Sequence, residues 1–181
     1  NSKTILMNTA YPLMVGEILL NDAKGNLDQA AEFLTKYGVY KLPETVIKSS
    51  GFGVMGSGFY GRSKGTIKSP YGTKNVEADP EREIKLYPLK RLFNQSQKEI
   101  LSIDLKACSK YKLTTDVIKN LTQIKFIYGA KDKLARFNNE CELLVNFDID
   151  KDVSVIDETG HFPYFENNIE LNKLLLSLIN D

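Results

Sequence analysis

The only histidine of this chain sits in a setting that narrows the possible folds more than any other stretch. Val153-Ser154-Val155-Ile156 is a short run rich in β-branched residues and reads as a buried strand, while the apolar positions of 168–179 recur at helical spacing. His161 therefore lies on a strand-to-helix loop. The pattern occurs once more upstream. Residues 124–128 (IKFIY) form an apolar run of β-formers, Gly129 breaks it, and Asp132 follows, 29 positions before the histidine (161 − 132). Leu134, Phe137, Cys141, Leu144 and Val145 then mark a helical stripe. The succession of strand, acid, helix, strand, histidine and helix predicts an α/β chain with a parallel sheet. Such sheets keep their chemistry in the loops at the carboxyl ends of the strands.

The remainder of the chain reads as mostly helical. Residues 4–8 make a first strand, ended before Pro12. A helix over 17–24 is stopped by Gly25, and Asn26 caps a second that reaches Gly38. The periodicity fades over 39–79, where Gly51, Gly53, Gly56, Gly58, Gly61 and Gly65 fall close together and predict a long loop. Helical character returns over 81–86, Pro88 interrupts it, and 97–111 follows with Ile100, Ile103, Leu105, Ala107 and Cys108 as its apolar contacts. Leu171, Leu174, Leu175 and Leu178 form the stripe of the last helix. Each such side chain contributes about 1.5–3 kcal/mol when fully buried, so these helices need a sheet to cover. Only 4–8, 124–128 and 153–156 read as strands. So small a sheet predicts that strands completing the fold belong to a missing part of the same or another polypeptide.

Composition excludes several classes of partner. Hydrophobic residues make up 42% and charged residues 26%, as in ordinary globular domains. Twenty-four basic residues are interspersed with 23 acidic ones, so there is no field to draw nucleic acid or anionic lipid. No apolar run approaches the roughly 20 residues needed to cross a bilayer, and the first residues lack the pattern of a secretory signal. Cys108 and Cys141 lie within predicted helices, lack CxxC spacing and have one histidine to help them, which argues against a metal site. We read them as buried free thiols rather than a disulfide, which points to a reducing, cytoplasmic setting.

Residues 124–132 (IKFIYGAKD), the Gly160-His161-Phe162-Pro163 turn with Glu166-Asn167 behind it, and the opening 5–12 (ILMNTAYP) together resemble the α/β-hydrolase family. The resemblance implies the C-terminal portion of that fold, with few parallel core strands, flanking helices and a mainly helical cap insertion. Core strand, cap and remaining core then fall at 1–10, 11–115 and 116–181. The resemblance maps the catalytic acid onto Asp132 and the base onto His161, and gives Glu166 and Asn167 a structural role in setting the last helix. It places the nucleophile upstream of Asn1, on a strained turn after an earlier strand. An Asn at position 1 agrees with a fragment or a cleaved product. The implied activity is hydrolysis of an ester, lactone or similar small acyl substrate, without a cofactor. The implied partners are that substrate and the N-terminal part of the fold, in the same or another chain. If these residues are the whole molecule, the alternative is a truncated or degenerate hydrolase that only binds.

Two glycine motifs have weaker readings. Gly61-Arg62-Ser63-Lys64-Gly65 matches GxSxG, yet neither the glycine-rich stretch before it nor the Pro70-cut stretch after it suits a strand-turn-helix elbow, so Ser63 is a coincidental match and the rival nucleophile. Residues 51–56 match GxGxxG but lack a following helix. Asp132 alone would also serve as a helix N-cap, and His161 alone as a hydrogen-bonded loop residue. Together, at one sheet edge, they suit acid–base chemistry, in which imidazole takes and returns a proton while the carboxylate fixes its tautomer. Asp157 and Glu158 precede the turn and read as solvated charges.

Overall fold

In the computed structural model, which describes residues 4–43, 79–95, 99–120, 123–138 and 141–180, three parallel strands form one sheet. They are β1 (Thr4–Met7), β2 (Ile124–Gly129) and β3 (Val153–Ile156), in that spatial order, with Thr4 opposite Ile124 and Phe126 opposite Val153. β2 is the central strand, and Phe126, Ile127 and Tyr128 are almost wholly removed from solvent. Alternate side chains go to opposite faces. Ile124, Phe126 and Tyr128 meet Leu143 and Leu144, whereas Ile127 joins Ile156, Leu171 and Leu178. The last two belong to α8 (Asn168–Asn180), whose stripe packs as its spacing predicts. β3 has the expected bounds, and the ends of the other two strands differ from expectation by one residue each. Asn8 leaves β1 with a φ of 46°, and Gly129 stays in β2, opposite Ile156.

Helices α1 (Glu17–Gly25), α2 (Leu27–Gly38), α3 (Pro80–Gln95) and α4 (Ile100–Lys110) make a second layer. Leu19, Ala23, Ala30 and Leu34 form its centre, and the two alanines, 0% exposed, let α1 and α2 approach closely. Asn26 caps α2, its Oδ1 accepting from the Gln29 N–H at 3.2 Å. A separate cluster of Val39, Leu86, Leu89, Phe162 and Phe165 ties α3 to the histidine loop. α3 runs straight through Pro88, against the interruption expected from the sequence. Proline there removes one helical hydrogen bond, and Leu86 and Leu89 on either side, both buried, hold the helix to its neighbours. In α4 the inward contacts come from Leu101 and Leu105, while Ile100, Ile103 and Cys108 are exposed. Cys108 is therefore not the buried thiol that its helix suggested. The short helix α5 (Thr115–Asn120) has too few residues to show a period and was not read from the sequence.

The main correction concerns 134–145. Among the described residues of this stretch no α-helix forms; the chain turns after Asp132, and Glu142–Leu144 forms one 3-10 turn. The supposed stripe is divided between two clusters. Leu134 packs beside Val39 and Phe162, Phe137, Cys141 and Leu144 pack against β2, and Val145 is 73% exposed. Side chains that serve two different cores do not need one helical face. Cys141 accordingly lies outside any helix, half-buried. Two more short helices, α6 (Ile149–Asp152) and α7 (Pro163–Glu166), flank β3 and the histidine turn. Both glycine motifs, Ser63 included, lie outside the described residues.

Candidate active site

The carboxyl ends of all three strands meet at one edge, and each delivers a polar side chain there. After β2 the Ala130 N–H donates to the Ile156 carbonyl at 2.9 Å, Lys131 to Thr159 at 2.8 Å and Asp132 back to Gly129 at 3.1 Å. This tight turn points Asp132 inward, and its side chain is fully buried. One carboxylate oxygen, Oδ1, accepts from the N–H groups of Leu134 and Ala135 at 2.8 and 3.0 Å. The other, Oδ2, lies 2.8 Å from Nδ1 of His161. Asp132 thus caps with one oxygen and contacts the imidazole with the other, although what it caps is a turn rather than a helix.

The histidine loop is built at close quarters. Glu158 reverses the chain with a φ of 51°, Thr159 is completely buried, and its hydroxyl donates to the Asp157 carbonyl at 2.9 Å. Asp157 and Glu158 themselves are exposed, as expected. A Cβ on Gly129 would collide with the carbonyl oxygens of Thr159 and Gly160, and one on Gly160 would meet the Gly38 oxygen, so both positions require glycine for approach rather than for an unusual φ. The His161 N–H donates to that same Gly38 carbonyl at 2.6 Å. The imidazole packs edge-on to Phe162, and its side chain keeps 27% exposure. Beyond Asp132, no hydrogen-bond partner meets the ring among the described residues.

Solved structures resemble this architecture. The chain is similar to a thermophilic esterase at 17% identity and a TM-score of 0.59, over 97% of this chain and 55% of the esterase. The fold is that of the α/β hydrolases. It is likewise similar to an α/β-hydrolase enzyme from a Medee basin deep-sea metagenome library (15% identity, TM-score 0.54, 99% and 56% coverage). A 2-hydroxy-6-oxo-6-phenylhexa-2,4-dienoate hydrolase from Rhodococcus matches at 13% identity and a TM-score of 0.50, with 99% and 56% coverage. The chain thus spans about half the length of these α/β hydrolases. No protein-family model and no curated protein matches it.

Two residues that hold this edge of the sheet together carry no mark of it in the sequence, one wholly and one in its role. Asn8, buried at the end of β1, donates from Nδ2 to the carbonyls of His161 (2.7 Å) and Gly160 (3.3 Å), and its Oδ1 accepts from the Gly129 N–H at 2.9 Å. Glu166 does not set the last helix. Its Oε2 accepts from Tyr40, Lys41 and Gly160 and its Oε1 from Phe162, at 2.7–3.1 Å. The backbone carbonyl of Asn167 accepts from the Leu171 N–H at 3.1 Å at the start of α8. Tyr128 also points here; burial pushes its phenol well above the ordinary value, and the hydroxyl donates to the Thr9 carbonyl at 2.7 Å. Beside the acid loop a cleft of about 450 Å³ is lined by Tyr40, Ala130, Lys131, Asp132, Lys133 and Arg136. No helix among the described residues is long and apolar enough to cross a membrane.

Proposed function

We propose that Asp132 and His161 are the acid and base of a nucleophile-acid-histidine triad, in a hydrolase that cleaves an ester, lactone or similar small acyl substrate. The observation that carries this reading is the 2.8 Å contact between Nδ1 of His161 and Oδ2 of Asp132 at the carboxyl edge of a hydrolase-type sheet. With Nδ1–H donating to the carboxylate, Nε2 is the unprotonated nitrogen and the base. It takes the proton of the attacking hydroxyl as that oxygen bonds to the acyl carbon. It then returns the proton to the leaving group as the tetrahedral intermediate collapses, and repeats the cycle with water to free the acid. Asp132 stabilises the imidazolium in between, and the bonds from Leu134 and Ala135 stop its carboxylate from rotating away. In this reading the nucleophile stands on the strand-turn-helix elbow of the other half of the fold, and 11–115 covers the site as a cap.

The test is hydrolysis of an activated ester such as p-nitrophenyl acetate by the complete protein. Activity abolished by His161→Ala and retained by Ser63→Ala supports the reading. Activity lost on Ser63→Ala would move the nucleophile into this chain. Turnover by His161→Ala within tenfold of the parent would refute the role of the histidine.

A further inference from the structure

We infer that Glu166 is a positioning residue for His161, fixing the histidine loop against the segment 38–41. The inference rests on the triad reading for its catalytic consequence, though not for its spectroscopic one. A glutamate four residues into a helical turn would ordinarily be read as a local cap, and its bonds to the N–H groups of Gly160 and Phe162 fit that. The other two do not. Tyr40 and Lys41 lie 126 and 125 positions earlier in the chain, at 2.7 and 3.0 Å from the same oxygen that holds Gly160. No helix cap requires donors from so far away.

These four donors bracket the base. Gly160 and Phe162 are the residues on either side of His161, and the N–H of His161 itself goes to Gly38, the residue next but one to Tyr40. The whole backbone unit of the histidine is therefore held to 38–41, partly by one carboxylate and partly directly. Asn8 holds the carbonyls of Gly160 and His161 from the side of β1. With backbone donors and acceptors taken on both sides, the imidazole has a fixed origin from which to reach Asp132. The carboxylate is suited to this because each oxygen can accept more than one N–H, and because such charge-assisted bonds are the stronger kind. A carboxamide has one accepting oxygen, and its NH₂ would face backbone donors in the other place.

Glu166→Gln in the complete protein tests this by two readouts. The first is the downfield proton resonance of the Nδ1–H of His161 shared with Asp132, assigned by its disappearance in His161→Gln. The second is kcat against KM. Misplacement of a catalytic group by about 1 Å costs on the order of 100-fold, so Glu166→Gln is expected to lower kcat by about that factor with little change in KM, and to broaden or abolish the resonance while the protein stays folded. A folded Glu166→Gln protein with resonance intact overturns the inference, whatever happens to kcat. Where glutamine prevents folding, Glu166→Asp is read in the same way, since it keeps the charge but is one methylene too short to reach all four donors. Loss of the resonance in a protein that hydrolyses no ester would sink the triad reading and leave the positioning role standing.

Discussion

The carboxyl edge of the sheet and the helical layer of α1–α4 are held together by different physics. At the edge, the side chains of Asn8 and Asp132 each make three hydrogen bonds and that of Glu166 makes four, nearly all to backbone groups. In the helical layer the backbone satisfies itself, and apolar side chains such as Leu19, Leu34 and Leu86 make the contacts. Its ion pairs, Lys85 with Glu81 and Lys90 with Glu32 and Glu83, join partly buried lysines to exposed carboxylates. Apolar packing tolerates exchange of one side chain for another of like volume. A buried polar group whose partners are backbone has no such latitude, because removing it leaves those partners unpaired.

The largest effect that distinguishes the two regions is on turnover. On the triad proposed above, His161→Ala is expected to lower kcat on the order of 10⁴-fold or more in the complete protein, and Asp132→Asn by up to a similar factor, by analogy with triad proteases. Neither should unfold the protein, as measured by a denaturant melt. A sharp fall in thermal stability with kcat within tenfold would make the edge a structural feature and erase the contrast.

In the helical layer the expected loss is of stability instead. Leu86→Ala, at a position 2% exposed, should cost about 2–5 kcal/mol in chemical denaturation while turnover per folded molecule stays near that of the parent. A collapse of kcat with the fold intact would mean that α3 reaches the chemistry through Phe162 and Phe165, its neighbours in the same cluster.

Adding one methyl group in each region sharpens the difference. Gly129→Ala drives a Cβ into the carbonyls of Thr159 and Gly160, and should destabilise by about 1–3 kcal/mol. Gly25→Ala, where the new atom meets nothing within 4 Å, should raise stability by about 0.4–1 kcal/mol through the unfolded chain. Equal denaturation midpoints for the two variants would contradict the close approach at the edge.

The smallest effect is at Lys90. Burial of its ammonium works against the charge, but the carboxylates of Glu32 and Glu83 outweigh it and hold the lysine above its ordinary 10.5. Both partners are well exposed, so Lys90→Met should cost less than about 1 kcal/mol. A folded-state value raised above the unfolded one stabilises below the ordinary lysine value and is lost as pH rises through the raised one. The gap between parent and Lys90→Met should therefore be constant through neutral pH and close above about 10.5. A gap that widened in alkali would reverse the sign of this interaction.

What the sequence disclosed follows from how local each signal is. Strands β2 and β3 and helix α8 announce themselves within a few residues, and so does the placing of Asp132 and His161 just beyond two of them. Asn8 and Glu166 carry no such signature, because their partners lie as far as 153 and 126 positions away and are backbone atoms that every residue possesses. The one local hint is the residue type at position 8, since asparagine tolerates the left-handed region, here a φ of 46°, better than most residues. The helix expected after Asp132 failed for the opposite reason: apolar residues at helical spacing were recruited by two clusters on different sides of a turn. Pro88 misled because a proline's cost is local while the burial of Leu86 and Leu89 is not.

The separations along the chain also imply an order of assembly. β2 and β3 lie within one stretch, and the carboxylate and imidazole are only 29 positions apart. β1 joins β2 across 120 positions, bringing Asn8 with it, and Tyr40 reaches Glu166 across 126. Closing the longer loops costs more chain entropy and comes before any contact rewards it. Residues 124–180 should therefore form the early scaffold, with the acid and histidine already neighbours, and the bonds from Asn8 and to Tyr40 should close late. In a folding experiment, substitutions at Leu171 should slow folding, whereas Asn8→Ala should mainly speed unfolding. The pair would then be brought together by its own segment, and made rigid only when the far parts of the chain arrive.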